Sequence, residues 1–239
     1  MNSRMILFTD IETVPEHEKF SDMPEHGQAA FRKKYDVKVE KNEFLTIEEA
    51  YDKQAGFHAE FSRIVCISVG RIFPNDDPAI QREVLKVYCL TGDEISILER
   101  FAKMCGMCDF VCAHNGKKFD FTFIPRRMIV HQVPLPPILD VRERKPWDIN
   151  WIDTMHMWTF GDFGYYTSLI TLAYALGVAN PKEDVSGADV TPLFRAGEIV
   201  KIGNYCNGDV VVMVNCYRIM RYEHPFNPEE IFISPHQNG

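Results

Sequence analysis

A continuous apolar run near the start of the chain leads directly into acidic residues, in the sequence MILFTDIET. We expect Arg4 to Thr13 to form a strand that Pro15 ends, because proline cannot donate to a sheet ladder. An unbroken apolar run predicts a strand buried on both faces, and such strands lie in sheets that helices cover on both sides. The run is much shorter than a membrane span and acids follow it at once, so we expect neither a membrane helix nor a signal peptide.

The rest of the pattern predicts strands first and then strands that alternate with helices. Residues 63–73 (RIVCISVGRIF) and 83–90 (EVLKVYCL) are typical of a hairpin around the turn NDDP. Helices are expected at 93–104, 120–130, 168–176 and 209–222, short strands at 109–113 and within WIDTMHMW, and loops at 134–148 and 180–193. This order indicates an α/β protein with one mixed sheet of about five strands, flanked by helices.

One domain is expected over residues 1–224, followed by a C-terminal tail at 225–239. Residues 16–61 are highly charged and interrupt the pattern, so we interpret them as an insertion beside the core, with helices at 27–35 and 47–59. The tail is expected to be loosely ordered, as chain ends without an apolar pattern are.

The composition is that of a globular protein, with 46% hydrophobic and 25% charged residues, and the cytoplasm is the expected location. The formal net charge of −8 disfavours a protein that binds nucleic acid tightly along its length, because phosphates favour basic surfaces. It permits an enzyme that holds only a strand end, since bound divalent cations would neutralise part of that charge.

Three of the seven cysteines lie close together in CGMCDFVC, as Cys105, Cys108 and Cys112. They could be a redox pair or part of an iron–sulfur or zinc site. They could equally be small core residues where a helix ends and a buried strand begins. No second CxxC follows at zinc-site spacing, so the structural interpretation is favoured.

Four carboxylates stand in three short patterns. Asp10 and Glu12 lie two residues apart on a strand, so both side chains leave the same face. Asp120 begins a helix after a short strand and the loop HNGKK, a position at which α/β sheets build their sites. Tyr205 and Asp209 lie four residues apart and share a face if the last helix extends back over NYCNG. Such clusters of oxygen ligands suit Mg²⁺ or Mn²⁺.

Each pattern also has a simpler explanation. Asp10 and Glu12 could be a polar strand end, and Asp120 could be an acid that caps a helix. Tyr205 could be a core aromatic residue, because Asn207 and Gly208 leave the backward extension of the helix uncertain. His114 could be a ligand, although a single histidine at a strand end is more often structural.

Taken together and in this order, the patterns resemble the DEDD superfamily of 3′–5′ exonucleases, in particular its tyrosine-bearing branch. FTDIET resembles the first motif, and AHNGKKFDFTFI resembles the second, Asn-x₃-(Phe/Tyr)-Asp. YCNGDVVVMVNCY resembles the third, Tyr-x₃-Asp, and Asn204 stands where the histidine branch has its histidine. The resemblance extends over about residues 4–222 and is greatest to stand-alone exonucleases related to the proofreading domains of family-B DNA polymerases.

The resemblance implies a ribonuclease-H-like fold and two Mg²⁺ or Mn²⁺ ions held by Asp10, Glu12, Asp120 and Asp209. It implies that Asp10 bridges both ions, that Glu12 and Asp209 serve the ion that carries the attacking water, and that Asp120 helps to hold the other. Tyr205 would orient the water, and nucleoside 5′-monophosphates would be released from a 3′ end. Substrate contacts are expected from three residues: Thr13, Asn115 and Phe119.

The expected partner is the 3′ end of a single-stranded or frayed nucleic acid, with DNA favoured over RNA; the oligomeric state stays open. Bases could stack on an aromatic residue of the FGDFGYY loop, at Phe163, Tyr165 or Tyr166. One alternative is an RNA- or oligoribonucleotide-trimming exonuclease of the same superfamily, because the motifs do not distinguish the sugar. Another is a non-catalytic binding module that has kept the fold.

Overall fold

The structure is a computed structural model that describes residues 5–41, 43–75, 83–162, 164–179, 185–234 and 237–238. The strands are β1 (Ile6–Pro15), β2 (Ser62–Pro74), β3 (Glu83–Thr91), β4 (Phe110–Ala113), β5 (Trp151–Asp153), β6 (Ile231–Ile233) and β7 (Gln237–Asn238). The helices are α1 (Glu25–Glu40), α2 (Ile47–Gln54), α3 (Glu94–Cys105), α4 (Asp120–Val130), α5 (Thr154–Thr159), α6 (Leu169–Leu176), α7 (Val190–Arg195) and α8 (Ile199–Met220).

All seven strands belong to one mixed sheet, in the order β5-β4-β1-β2-β3-β6, with β7 also paired to β3. The central strand β1 runs antiparallel to β2 and parallel to β4. Its apolar residues Ile6, Leu7 and Phe8 are completely buried, as the unbroken apolar run predicts. Because β1 and β4 are parallel, their carboxyl ends lie at the same edge of the sheet, which brings the segments that follow them together.

The sequence analysis was wrong to expect a loosely ordered C-terminal tail, because residues 231–233 and 237–238 are strands of the sheet. Phe226 is buried in the main core, and β6 pairs with β3 in parallel, with Leu85 opposite Ile231. Without this pairing, β3 would be an exposed edge with unpaired backbone groups. The sheet therefore has more strands than the five expected.

Residues 16–61 carry α1 and α2, which pack around a small apolar cluster of their own centred on Phe31 and Tyr51. The expected helix at 47–59 is shorter than predicted: it ends at Gln54, and a 3₁₀ turn follows at Ala55–Phe57. Arg127 of α4 connects these residues to the core. Its guanidinium donates to the Ala59 carbonyl oxygen (2.9 Å) and to Glu16 (3.0 Å).

The last helix, α8, crosses the sheet and contacts β1, β2 and β3. It begins at Ile199 and so runs through Asn207 and Gly208, where the sequence left its extent open. Part of the expected loop at 180–193 lies outside the described residues, but Val190–Arg195 is helical, contrary to that expectation. Among the described residues, no helix is both long and apolar enough to cross a membrane.

Candidate active site

The strand β1 presents two carboxylates to the face of the sheet that α8 covers. Asp10 lies opposite Ser68 of β2, and Glu12 lies opposite Cys66. Residues opposite each other in an antiparallel pair project to the same face, so Asp10 and Glu12 share one face as expected from their spacing. The register shifts between Glu12 and Thr13. Such bulges redirect a strand and often adjoin functional sites.

Asp120 reaches the same place from the end of β4. It is the first residue of α4, it is 3% exposed, and its Oδ1 atom is buried with no hydrogen-bond partner among the described residues. The loop before it is held by Asp153, whose carboxylate accepts from the backbone N–H groups of Asn115 and Lys117, both at 3.0 Å. The geometry of the second motif therefore depends on Asp153, at the end of β5.

The third pattern is brought to the sheet by the close approach of α8. A Cβ atom on Gly70 would lie 2.8 Å from Cγ1 of Val210, so only glycine permits this distance without a shift. Below the site, the Ser68 hydroxyl donates to Oδ1 of Asn207 (2.9 Å). This packing explains why the helix continues through a weak helix former, since tertiary contacts override local propensity.

The five side chains of the three patterns interact electrostatically. Burial raises the pKa of Asp10 well above its usual value, and the charges of Asp209, Glu12 and Asp120 raise it further. Burial and the charges of Asp209 and Asp120 do the same to the pKa of Glu12. Burial, helped by the charge of Asp153, raises the pKa of Asp120 to about 7. These mutual shifts mean that the four carboxylates repel one another and that a bound cation would relieve the repulsion.

Tyr205 belongs to the same group. Its pKa is raised far above the usual value by burial and then by the charges of Asp209, Glu12 and Asp10. In the metal-free protein the phenol therefore stays protonated and is suited to donate a hydrogen bond.

A thiol that the sequence analysis did not single out contacts the carboxylate of Asp10. Cys206 Sγ lies 3.2 Å from Oδ2 of Asp10 and 3.4 Å from the Asp10 carbonyl oxygen. One ligand atom each of Asp10, Glu12 and Cys206 lies within 4.8 Å of the others, a spacing that could hold a metal ion. Cys206 falls inside the Tyr-x₃-Asp pattern, yet only the helical register identifies it as facing Asp10.

Two of the three residues expected to contact substrate, Thr13 and Phe119, are the chain neighbours of Glu12 and Asp120. The Thr13 hydroxyl donates to the Gly56 carbonyl oxygen (2.7 Å), which ties β1 to the 3₁₀ turn of residues 55–57. Asn115 has a left-handed backbone (φ 60°), and its Oδ1 is buried without a hydrogen-bond partner among the described residues. Phe119 caps α4 and packs against Phe123.

His114 is structural, as the commoner interpretation held. Its Nε2–H donates to the carbonyl oxygen of Thr167 (2.8 Å), and its Nδ1 accepts from the Thr154 hydroxyl (2.9 Å). Burial lowers the pKa of His114, so the ring is neutral and both nitrogen atoms are occupied.

The three clustered cysteines, Cys105, Cys108 and Cys112, pack in or against the main core and not with the carboxylates. Cys105 ends α3 and Cys112 lies in β4, both buried in the main core, and Cys108 packs against that core. All three are free thiols whose pKa values are raised by burial. They do not form a metal-binding group with other described residues.

Of the aromatic residues considered for base stacking, Tyr165 and Tyr166 are 51% and 67% exposed. Phe163 lies outside the described residues.

Comparisons with known proteins identify the family and the fold of the chain. A family described as predicted 3′–5′ exonucleases related to the exonuclease domain of PolB matches residues 57–231, which is well over half of the chain. No curated protein matches the sequence.

Two solved structures are similar to the chain. One is the family B DNA polymerase from the hyperthermophilic archaeon Pyrobaculum calidifontis, with a TM-score of 0.53 and 13% sequence identity over 87% of this chain and 24% of the polymerase chain. The other is E. coli exonuclease I in complex with a dT13 oligonucleotide, with a TM-score of 0.40 and 12% identity over 88% of this chain and 44% of that one. The chain thus spans less than half of the length of either protein. The likeness to the polymerase shows that the mixed sheet and its helices form a ribonuclease-H-like fold, and the chain belongs to the family of predicted 3′–5′ exonucleases related to the exonuclease domain of PolB.

Proposed function

We propose that this protein is a metal-dependent 3′–5′ exonuclease of the tyrosine branch, which removes nucleoside 5′-monophosphates from the 3′ end of single-stranded or frayed DNA. One observation carries the proposal. Asp10, Glu12, Asp120, Asp209 and Tyr205, which come from three separate parts of the chain, perturb one another's pKa values at one edge of the sheet. Perturbed carboxylates grouped in this way are typical of catalytic sites.

The residues present fit a pair of Mg²⁺ or Mn²⁺ ions. Every charged ligand is a carboxylate, the ligand type that these hard ions prefer, and the buried Oδ1 of Asp120 has no partner among the described residues. We assign Asp10 to both ions, Glu12 and Asp209 to one, and Asp120 to the other. When bound, such ions activate a water molecule and stabilise the charge on the leaving oxygen.

The chain itself contributes orientation. Tyr205 would donate a hydrogen bond from its hydroxyl to the attacking water and hold that water in line. Asp153 fixes the loop that carries Asn115, which we place against the terminal nucleotide. Phe119, just before α4, would pack beneath the site, and Thr13 would lie beside the sugar of that nucleotide.

DNA is the proposed substrate because the family is defined by its relation to the exonuclease domain of PolB. RNA trimming is the alternative outcome. The test is digestion of matched single-stranded DNA and RNA of one sequence under Mg²⁺ and under Mn²⁺, with kcat/KM as the measure. A higher kcat/KM for DNA supports the proposal, and a preference for RNA replaces it with the alternative.

The number of ions can be measured without catalysis. Electron paramagnetic resonance of free Mn²⁺ is expected to show two ions bound per chain in the wild type and weaker binding in Asp10→Asn. A matched control is Asp148→Asn, because Asp148 is exposed and lies outside the group. Unchanged Mn²⁺ binding in Asp10→Asn would contradict the ligand assignment.

A further inference from the structure

The 16–61 segment lines part of a cleft that also contains Glu12, one of the proposed metal ligands. The cleft has a volume of about 550 Å³, and Glu12 and Thr13 of β1 lie in it. Its lining also includes Phe119, which directly precedes α4, and Arg195 of α7, together with Lys53 and Phe57 of the 16–61 segment. Its volume is within the range of sites that hold small ligands or a single nucleotide.

The turn that carries Phe57 is held in place from two directions. On one side, the Thr13 hydroxyl donates to the carbonyl oxygen of Gly56 (2.7 Å). On the other, Arg127 donates to the carbonyl oxygen of Ala59 (2.9 Å) while it is paired with Glu94 (2.7 Å). These two hydrogen bonds fix the turn that carries Phe57 before any ligand binds. Such preorganisation lowers the entropy cost of binding.

Phe57 is an unusual residue for this position. It is 63% exposed and does not belong to the apolar cluster of α1 and α2, so its ring contributes little to the core. Its only aromatic neighbour among the described residues is Phe119, at a centroid distance of 6.3 Å and an interplanar angle of 62°. The two rings thus present apolar faces to the cleft beside a cluster of carboxylates.

We propose that Phe57 is the stacking platform for the 3′-terminal nucleobase of the substrate, with Phe119 completing the contact at the edge of the base. This inference rests on the proposed exonuclease function. It assigns to the 16–61 segment the role of forming one side of the substrate site. A nucleobase is the occupant that fits, because it offers a flat aromatic surface and is joined to a phosphate that belongs next to Glu12.

The cleft carries two acids, Glu12 and Asp52, and two cations, Lys53 and Arg195, that can meet the phosphate of a nucleotide. One guanidinium nitrogen of Arg195 donates a hydrogen bond to the carbonyl oxygen of Glu18. The other N–H groups of the guanidinium can donate to a phosphate oxygen. Stacking on an aromatic ring accepts every base, so this platform would hold the end of a strand without selecting its sequence.

The first experiment compares steady-state kinetics of Phe57→Ala with the wild type on single-stranded DNA. Loss of the platform is expected to raise KM about 5- to 150-fold with kcat nearly unchanged, the range that corresponds to 1–3 kcal/mol of stacking. Phe57→Trp is expected to restore KM. The matched control is Leu45→Ala, which removes another exposed apolar side chain (82% exposed) of the same segment, outside the cleft.

The second experiment separates stacking from a structural role. A substrate whose 3′-terminal residue lacks a base should bind the wild type more weakly, by about the factor that Phe57→Ala costs on ordinary DNA. Phe57→Ala should show no further loss on this abasic substrate. The proposal would be overturned if the loss from Phe57→Ala and the loss from removing the terminal base multiplied independently. An unchanged KM in Phe57→Ala would also overturn it. If the wild type digests neither DNA nor RNA, the exonuclease proposal itself falls, whereas digestion with an unaffected Phe57→Ala variant overturns only the stacking platform.

Discussion

The Cys206 thiol lies 3.2 Å from Oδ2 of Asp10, the carboxylate that we assign to both metal ions. Cys206 is fully buried, so the hydrogen bond is shielded from water. The orientation of the Asp10 carboxylate sets the position of its oxygen atoms relative to the other proposed metal ligands. Groups that hold a metal ligand in place in this way affect metal affinity even though they need not touch the ion.

We therefore predict that Cys206→Ala raises the Mg²⁺ concentration for half-maximal activity by about tenfold, because Asp10 loses the donor that orients it. Cys206→Ser keeps a donor and should remain near the wild type. Cys216→Ala is the matched control, since Cys216 is a buried thiol of the same helix that packs in a different cluster. An equal effect of Cys206→Ala and Cys216→Ala in a Mg²⁺ titration would contradict the positioning role.

The metal-free protein should lose stability as the pH rises from about 4 to 7. Folding raises the pKa of Asp120 to about 7, so between its unfolded and folded values the folded state holds a proton that the unfolded chain releases. The stabilisation is complete at low pH and is lost as the pH passes the folded value. For one proton the slope is at most about 1.4 kcal/mol per pH unit.

This dependence can be measured by urea unfolding in EDTA at several pH values. Asp120→Asn should flatten the slope and should make the metal-free protein more stable at pH 8, because a repelling charge has been removed. Asp148→Asn, on the exposed surface, should leave the slope unchanged. Identical slopes in the wild type and Asp120→Asn would show that Asp120 does not hold this proton.

Gly70→Ala should destabilise the protein by about 1–3 kcal/mol, because the new methyl group would overlap Val210. The same shift would move Asp209, one residue away on α8, so activity should fall more than the loss of stability explains. The double variant Gly70→Ala/Val210→Ala removes the overlap and should recover part of both. Denaturant unfolding and kcat/KM measure the two effects, and additive losses in the double variant would rule out the steric account.

Arg127→Met should cost about 3–5 kcal/mol of stability, since it leaves the buried carboxylate of Glu94 with only His131 as an ionisable partner. Burial opposes ionisation of Glu94, yet hydrogen bonds and the charge of Arg127 hold the pKa of Glu94 below its usual value. The neighbouring Arg126 is exposed, so Arg126→Met should change the free energy of unfolding by no more than about 0.5 kcal/mol. Equal effects of the two substitutions in chemical unfolding would contradict a buried ion pair.

Local patterns in the sequence were sufficient for the elements that carry the site. The apolar run before Asp10 predicted the buried central strand, and the loop before Asp120 predicted the start of α4 at that residue. The buried strand and the start of the helix depend on residues that are close together along the chain. A single sequence is therefore sufficient to predict both.

Features that depend on tertiary contacts were missed or left open by the sequence. The extent of α8 through Asn207 is fixed by Ser68 on another element, and the pairing of β6 is fixed by the free edge of β3. The contact between Cys206 and Asp10 and the exposure of Phe57 beside the cleft also follow from packing. Asp153 did leave a local signal, as an acid between a short strand and a helix, which is typical of an N-cap.

The central claim is tested most directly by incubating the wild type and Asp10→Asn with 5′-labelled single-stranded DNA and RNA, in Mg²⁺, Mn²⁺ or EDTA. The account predicts a ladder of labelled products that shorten from the 3′ end, with nucleoside 5′-monophosphates released. It predicts no ladder in EDTA and none with Asp10→Asn, while Asp148→Asn digests normally. Intact substrate with the wild type under every metal condition, or a ladder that persists in EDTA, would contradict it.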